Sequence, residues 1–221
     1  MNKYLKEAAM WAMIALPFVY IGMIWKTLPE TVPIHFNLRG EPDDWAGKSS
    51  LLLLPGILGI SVYLLMLVIP YLDPKKRLGD MGSKYDTLRL LMSFFIAVLS
   101  MYVIYTSSQG SINPNMLTAL IGGFFALLGN YFQTIRPNYF VGLRTPWTLE
   151  NEEVWKRVHR LGGRLWMAGG LMIIITSFLI TSFLALAITF GSLMMIMVVV
   201  PVVFSYTEYQ KHRNVASRTT E

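Results

Sequence analysis

LWMAGGLMIIITSFLITSFLALAITFGSLMMIMVVVPVVFSY, residues Leu165–Tyr206, contains no Asp, Glu, Lys, Arg or His. A helix rises about 1.5 Å per residue and the hydrocarbon core of a bilayer is about 30 Å thick, so about 20 apolar residues cross it once. This run holds 42 residues. It is too long for one crossing and suits two, Leu165–Ser182 and Leu184–Tyr206, joined by a tight turn near Thr181–Ser182. Four earlier stretches have similar length and character: Ala8–Trp25, Leu51–Ile69, Leu90–Ser107 and Met116–Gln133. The expected fold is therefore all-α, a polytopic bundle of six transmembrane helices.

Composition agrees. Of 221 residues, 54% are hydrophobic and 14% are charged, an imbalance that a soluble all-α domain of this length would not carry. The chain has no cysteine, which removes disulfides and thiolate metal sites from consideration. The first apolar run is long and lacks a small-residue cleavage site, unlike a cleaved signal peptide.

The connectors sort by charge. Sixteen of the nineteen Lys and Arg residues fall in residues 1–7, 70–89, 134–164 and 207–221, while Lys26, Arg39 and Lys48 fall on the other side. The positive-inside rule then places both termini and the 134–164 block in the cytoplasm, with residues 27–50 outside. No ionisable residue lies well inside a span, which disfavours proton relays and ion-coupled transport. Gly122 with Ala126, and Ala119 with Gly123, have spacing that permits close helix packing. Two regions are expected: an N-terminal membrane hairpin with its outer loop (1–70), and a four-helix membrane region (71–221) with a cytoplasmic motif at 138–166.

The outer segment LPETVPIHFNLRGEPDDWAGKSS (28–50) reads as a short extended piece. Ile34, Phe36 and Leu38 are expected on one face, followed by a turn over Asn37–Gly40 and another at Pro42 and the aspartates. Trp45 suits the headgroup level, and Lys48 a lipid phosphate. His35, Glu41, Asp43 and Asp44 are metal-ligating types, but their spacing specifies no site, and no cofactor is expected. Candidate residues for meeting an external ligand are Pro33, His35, Phe36, Asn37, Gly40, Asp43, Trp45 and Lys48.

The inner segment NYFVGLRTPWTLENEEVWKRVHRLGGRLW (138–166) packs five cations, three acids and three tryptophans between apolar runs. Thr145 with Pro146, or Thr148, can cap the helix that follows. Its acids precede its bases, with Glu152–Lys156 and Glu153–Arg157 at favourable spacing. Val154, Val158, Leu161 and Leu165 form an apolar stripe flanked by Trp155, His159 and Trp166. An amphipathic interfacial helix is expected, with Gly162-Gly163 breaking or bending it into the fifth span. Arg144 is expected to clasp a carboxylate, with Glu152 and Glu153 nearest in sequence, or to serve a partner site.

VGLRTPWTLENEEVWKRVHRLGGRLW (141–166) resembles the signature of the SdpI family of bacterial membrane proteins, and LPETVPIHFNLRGEPDDWAGK (28–48) is similar to a module of unknown function that often precedes it. The resemblance implies a bacterial cell membrane as the location and immunity to a secreted, membrane-active peptide toxin as the function. It also implies a cytoplasmic transcriptional regulator held at the membrane, without direct nucleic-acid contact. Gly142, Leu143, Arg144, Thr145, Pro146, Trp147, Thr148 and Trp155 carry the shared motif, and His159 and Arg160 are further candidates for partner binding. A membrane hydrolase is the competing reading, with His35 and Asp43 or Asp44, or His159 and Glu153, as its sparse candidate groups. A small-solute transporter is the other. The sequence assigns no oligomeric state.

Overall fold

The computed structural model describes residues 2–37, 41–74 and 76–218. Its helices are α1 (Lys3–Ile24), α2 (Ser61–Leu72), α3 (Ser83–Gln109), α4 (Pro114–Phe132), α5 (Pro146–Glu150), α6 (Glu152–Leu179) and α7 (Phe183–Arg218), and its strands are β1 (Thr31–Phe36) and β2 (Pro42–Gly47). A 3-10 turn (Lys48–Leu52) and a π-helical segment (Leu54–Ile60) lead into α2. Among the described residues, six helical stretches are long and apolar enough to cross a bilayer, at the six places read from the sequence. The chain is a multi-pass membrane protein. The break between α6 and α7 falls at Ile180–Ser182, where the tight turn was expected.

The helices are apolar all round, but only one face is covered by protein. On α1 the buried stripe is Lys6, Met10, Ile14, Pro17 and Ile21, at helical spacing, while Trp11, Leu16, Val19 and Met23 are exposed. Such exposure would be a liability in water and is ordinary against lipid tails. In α7 only 11% of the most apolar window is buried.

Two compact units are present. The first takes residues up to Ile69 with Gly82–Leu120. Helix α1 packs along α3 and against the π-helical segment. At one end, Ile21, Leu28, Val32, Leu51 and Ile104 form a core beneath the β1–β2 hairpin. Helix α3 stops at Gly110, whose positive φ (72°) lets its N–H turn back onto the last carbonyls. At the opposite end, Arg89 of α3 meets Glu7 of α1 at 2.6 Å, and Tyr63 of α2 donates to the same carboxylate. Lys6 beside them donates to the Ser83 hydroxyl and pairs with Asp86.

The second unit takes Pro70–Met81 with the chain from Ile121 onward. Helices α6 and α7 form a hairpin. Helix α4 approaches α6 backbone to backbone, since a Cβ on Gly163 would stand 2.7 Å from the Gly129 carbonyl and a Cβ on Gly122 would stand 2.8 Å from that of Gly170. Small residues permit this, and dispersion then holds the pair in an environment with no hydrophobic driving force between helices. Gly122 and Ala126 both lie in this contact, but a Cβ on Gly123 would meet nothing within 4 Å. Arg77 pairs with Glu152 at 2.5 Å and Arg157 with Glu208 at 2.8 Å, so residues 77, 152, 157 and 208 share one end of the unit.

Several local expectations are corrected. Pro42 and the two aspartates do not form a turn; they lie in β2, which pairs antiparallel with β1. The buried positions of β1 are Val32 and Pro33, whereas Ile34 is exposed. Register shifts between Pro33 and Phe36 break the simple alternation that the sequence suggested. The expected turn over Asn37–Gly40 includes Leu38, Arg39 and Gly40, which lie outside the described residues. Among the described residues no interfacial helix separate from the fifth span carries the Val154–Leu165 stripe. Helix α6 runs unbroken from Glu152 through Gly162-Gly163, because those glycines are buried against neighbours and have no reason to end the helix.

Candidate functional site

The motif segment ahead of α6 folds around Asn138, which is 1% exposed. Its Oδ1 accepts from the Phe140 and Val141 amides (2.8 and 2.7 Å), and its Nδ2 donates to the Arg136 and Val141 carbonyls (2.8 and 3.0 Å). One side chain thus serves four backbone groups that no helix or strand can satisfy. Asn138 was not singled out from the sequence. An Asn shortly before a Gly is the signal that was available, since Asn side chains commonly satisfy the backbone of turns.

Gly142 follows with φ of +109°. A Cβ there would overlap His159 Nε2 and stand 3.3 Å from Trp155 Cζ2. The glycine is therefore demanded twice, by its backbone angle and by the two rings behind it. Those rings come from α6, one helical turn apart, stacked with centroids 4.0 Å apart and planes at 18°. Trp155 Nε1 donates to the Ile135 carbonyl at 2.9 Å. His159 Nε2 accepts from the Leu143 amide at 3.0 Å, and Nδ1 donates to the Trp155 carbonyl at 2.9 Å. This pattern fits only the neutral imidazole with its proton on Nδ1. Both ring nitrogens are engaged in holding the motif loop to α6.

Thr145 and Thr148 cap α5 reciprocally. Thr145 Oγ1 accepts from the Thr148 amide (3.2 Å) and Thr148 Oγ1 from the Thr145 amide (2.9 Å). Thr148 Oγ1 also donates to the Leu143 carbonyl at 2.8 Å and is fully buried. Thr145 Oγ1 donates to Ser205 Oγ of α7 at 3.1 Å, and Trp147 packs edge-on against Tyr206 at 5.1 Å. Pro146 occupies the first helical position, where its missing N–H costs nothing. Of the two threonines that the sequence offered, Thr145 is the cap, and it caps only this short helix. Helix α6 has its own cap, Asn151, whose Oδ1 accepts from the Glu153 and Val154 amides.

Arg144 does not clasp Glu152 or Glu153. Its guanidinium donates to the Tyr139 carbonyl, while Glu152 pairs with Arg77 and Glu153 with Lys156. The i,i+4 pairs expected on α6 are likewise replaced, since Lys156 reaches Glu153 and Arg157 reaches the buried Glu208. The tertiary partner wins because Glu208 also holds Lys211 and sits where a lone carboxylate would be desolvated. Arg144, Pro146, Lys156 and Arg160 are exposed, and Trp147 is half-buried, on a scaffold whose Gly142, Trp155 and His159 are committed to structure.

The hairpin assembles the other candidates. His35 Nδ1 meets Asp43 Oδ1 at 2.6 Å on its exposed face. Asn37 and Glu41 exchange side-chain and backbone bonds across the loop between the strands. Pro33 is buried, and its carbonyl accepts from Ser107 of α3 at 3.0 Å. Phe36 is partly buried, and Trp45 is 52% exposed. Lys48 turns inward, pairing with Glu30 at 2.9 Å and lying over the Trp25 ring, which is not the lipid-facing position expected of it. Gly40 lies outside the described residues. Among the described residues no group of three or more His, Asp or Glu side chains is arranged to hold a metal.

Residues 134–207 match the SdpI/YfhL protein family, and residues 12–59 match a domain of unknown function, DUF1648. In these two stretches the chain is similar to those families. Over 201 residues it is 27% identical to the immunity protein SdpI of Bacillus subtilis, covering 90% of this chain and 93% of that one. It is 38% identical over 55 residues to an uncharacterised protein of Archaeoglobus fulgidus, covering 25% of this chain and 30% of that one. No solved structure matches. The SdpI/YfhL match begins just before Asn138 and ends just after Ser205 and Tyr206, so it takes in the motif loop, α6 and the α7 residues that receive Thr145 and Trp147. The DUF1648 match takes in most of α1, the hairpin and most of the π-helical segment.

Proposed function

We propose that this protein protects a bacterial cell against a secreted, membrane-active peptide. The reading is carried by the relation to the Bacillus subtilis immunity protein, which runs through nearly the whole of both chains rather than through one motif. The hairpin faces outward and meets the peptide; the motif loop and both termini lie in the cytoplasm. Supporting this sidedness, sixteen of nineteen cations fall at one set of ends. The N-terminal region (1–70) and the motif-bearing region (71–221) are the two functional parts. Binding outside would bias the arrangement of the membrane helices. The exposed Arg144, Lys156 and Arg160 then offer a basic surface on which a cytoplasmic regulator docks.

The commitment of both His159 nitrogens to the loop favours a structural role for that histidine over general-base chemistry. The His35–Asp43 pair joins the two strands on an exposed face, and among the described residues no third metal-ligating group completes a site there.

The test is heterologous expression in a sensitive bacterium, with survival scored against a panel of amphipathic killing peptides. Protection against at least one peptide is expected, and it should persist in Arg144→Ala if that residue serves signalling alone. Unchanged sensitivity across the panel, with the protein shown to be in the membrane, removes the reading.

A further inference from the structure

The exposed face of α6 changes character along its length. Met167, Leu171, Ile175 and Phe178 follow one another at three- and four-residue spacing, and they are 40%, 49%, 51% and 67% exposed. This spacing puts them on one face, turned to the lipid tails. Carried toward the motif end, the same stripe reaches Arg164 and then Arg160, both exposed. Two cations therefore stand in line with a lipid-facing surface. With the break at Ile180–Ser182 at the opposite surface of the bilayer, about 20 residues counted back from Leu179, where α6 ends, reach Arg160. Arg160 thus lies at the edge of the hydrocarbon, and Arg164 one turn inside it. An arginine at that depth extends its aliphatic stem toward the interface, and its guanidinium is costly there unless it meets an anion.

Among the described residues, no carboxylate supplies that anion. Each acid of α5, α6 and α7 is already engaged. Glu150 bonds Tyr209, Glu152 pairs with Arg77, Glu153 with Lys156, and Glu208 with Arg157 and Lys211. Lys156, Arg160 and Arg164 also succeed one another at i,i+4, where like charges repel. A phosphate between the last two turns that repulsion into attraction, since a guanidinium grips phosphate oxygens as a bidentate fork. The apolar stripe decides which phosphate. A soluble one makes no use of Met167 and Leu171, whereas a phospholipid lays its acyl chains along them. A zwitterionic head would bring its own cation to a place that already holds two. A head whose only charge is the phosphate does not.

We propose that Arg160 and Arg164 form a headgroup site for an anionic phospholipid, whose acyl chains lie against Met167 and Leu171. The assignment goes beyond the protective role and stands without it. It leaves Arg144 and Lys156 to a soluble partner.

The full chain has no cysteine, so Met167→Cys places a single bimane fluorophore on the stripe. The labelled protein is put into nanodiscs of equal parts phosphatidylglycerol and phosphatidylcholine, with bromine on the chains of one lipid or of the other. Bromine quenches near contact, so the two discs report which lipid covers the stripe. A preference of about tenfold for phosphatidylglycerol is expected at Met167→Cys. None is expected at Val199→Cys, an exposed position of α7 in a run, 183–206, that carries no cation. Arg160→Gln with Arg164→Gln alters two exposed positions, keeps good helix formers, and should bring the ratio at Met167→Cys to about one. Arg164→Gln alone should give a partial loss. Arg213→Gln removes an exposed cation elsewhere and should leave the ratio unchanged. Excess inorganic phosphate should also leave it unchanged. Equal quenching by both lipids overturns the proposal and leaves these arginines to a soluble partner. A preference that survives the double change overturns it, as does one that Arg213→Gln removes equally. Loss of the preference in inorganic phosphate overturns the assignment to a lipid head.

Discussion

Gly142→Ala should be among the most damaging one-carbon changes in the protein. The residue sits at φ +109°, a conformation that costs a side-chain-bearing residue about 1–3 kcal/mol. Its new methyl would also run into His159 Nε2 and press on Trp155 Cζ2 at 3.3 Å. Neither ring can withdraw cheaply. Trp155 is fixed by its bond to the Ile135 carbonyl, and His159 is fixed at both nitrogens. Forcing a methyl into such packing costs about 1–3 kcal/mol more, giving a total of about 2–6 kcal/mol. In detergent this should lower the apparent Tm by about 5–20 °C, taking about 2–4 °C per kcal/mol for a chain of this size. The decisive measurement is a double-mutant cycle with His159→Ala. Removing the ring removes most of the steric part, so the two changes together should cost about 1–2 kcal/mol less than their sum. A Gly142→Ala loss below about 1 kcal/mol, or strict additivity with His159→Ala, refutes the account of the motif as a loop clamped on those rings.

Three other outcomes follow from the same geometry. Breaking the Glu7–Arg89 pair with Glu7→Gln should destabilise the first unit by about 2–4 kcal/mol, discounted from a fully buried pair because Glu7 is partly exposed, and Glu7→Gln with Arg89→Met should recover part of that loss; a larger loss in the double variant contradicts it. Gly163→Leu should pry α4 from α6, read as faster hydrogen exchange across Ile121–Phe132, whereas Gly123→Leu, facing open space, should leave exchange unchanged. Because the chain has no cysteine, single substitutions Asp43→Cys and Glu153→Cys report sidedness cleanly. An impermeant maleimide added to intact cells should label the first and spare the second, and the opposite pattern reverses the topology.

Much of the candidate site was visible as residue types, while their jobs were not. The motif's Gly142, Thr145, Pro146, Trp155 and His159 stood out by composition and spacing, and Thr145-Pro146 announces a helix start by local rules alone. Asn138 did not stand out, since an Asn in a loop gains importance only when four backbone groups converge on it. Arg144 was read against the carboxylates nearest in sequence. Glu152 and Glu153 were instead taken by Arg77 and Lys156, and the first of these partners is 75 positions from Glu152.

The amino-acid sequence by itself determined the six crossings and the hairpin between the last two. A bilayer's thickness is a fixed length, and each apolar run meets or misses it without reference to any other part of the chain. Pairings across the chain were decided only by the tertiary structure. Glu7 and Arg89 are 82 positions apart, Thr145 and Ser205 are 60 apart, and nothing local in either member specifies the other. The same holds for glycines. Gly162-Gly163 has the composition of a helix break, yet it lies within one continuous α6, where Leu143 of the motif loop presses on Gly162 and α4 on Gly163 so closely that only a hydrogen fits. Burial on β1 moved from Ile34 to Val32 for the same kind of reason. The core formed by Ile21, Leu28, Leu51 and Ile104 accepts Val32, and strand alternation has no knowledge of where that core will be.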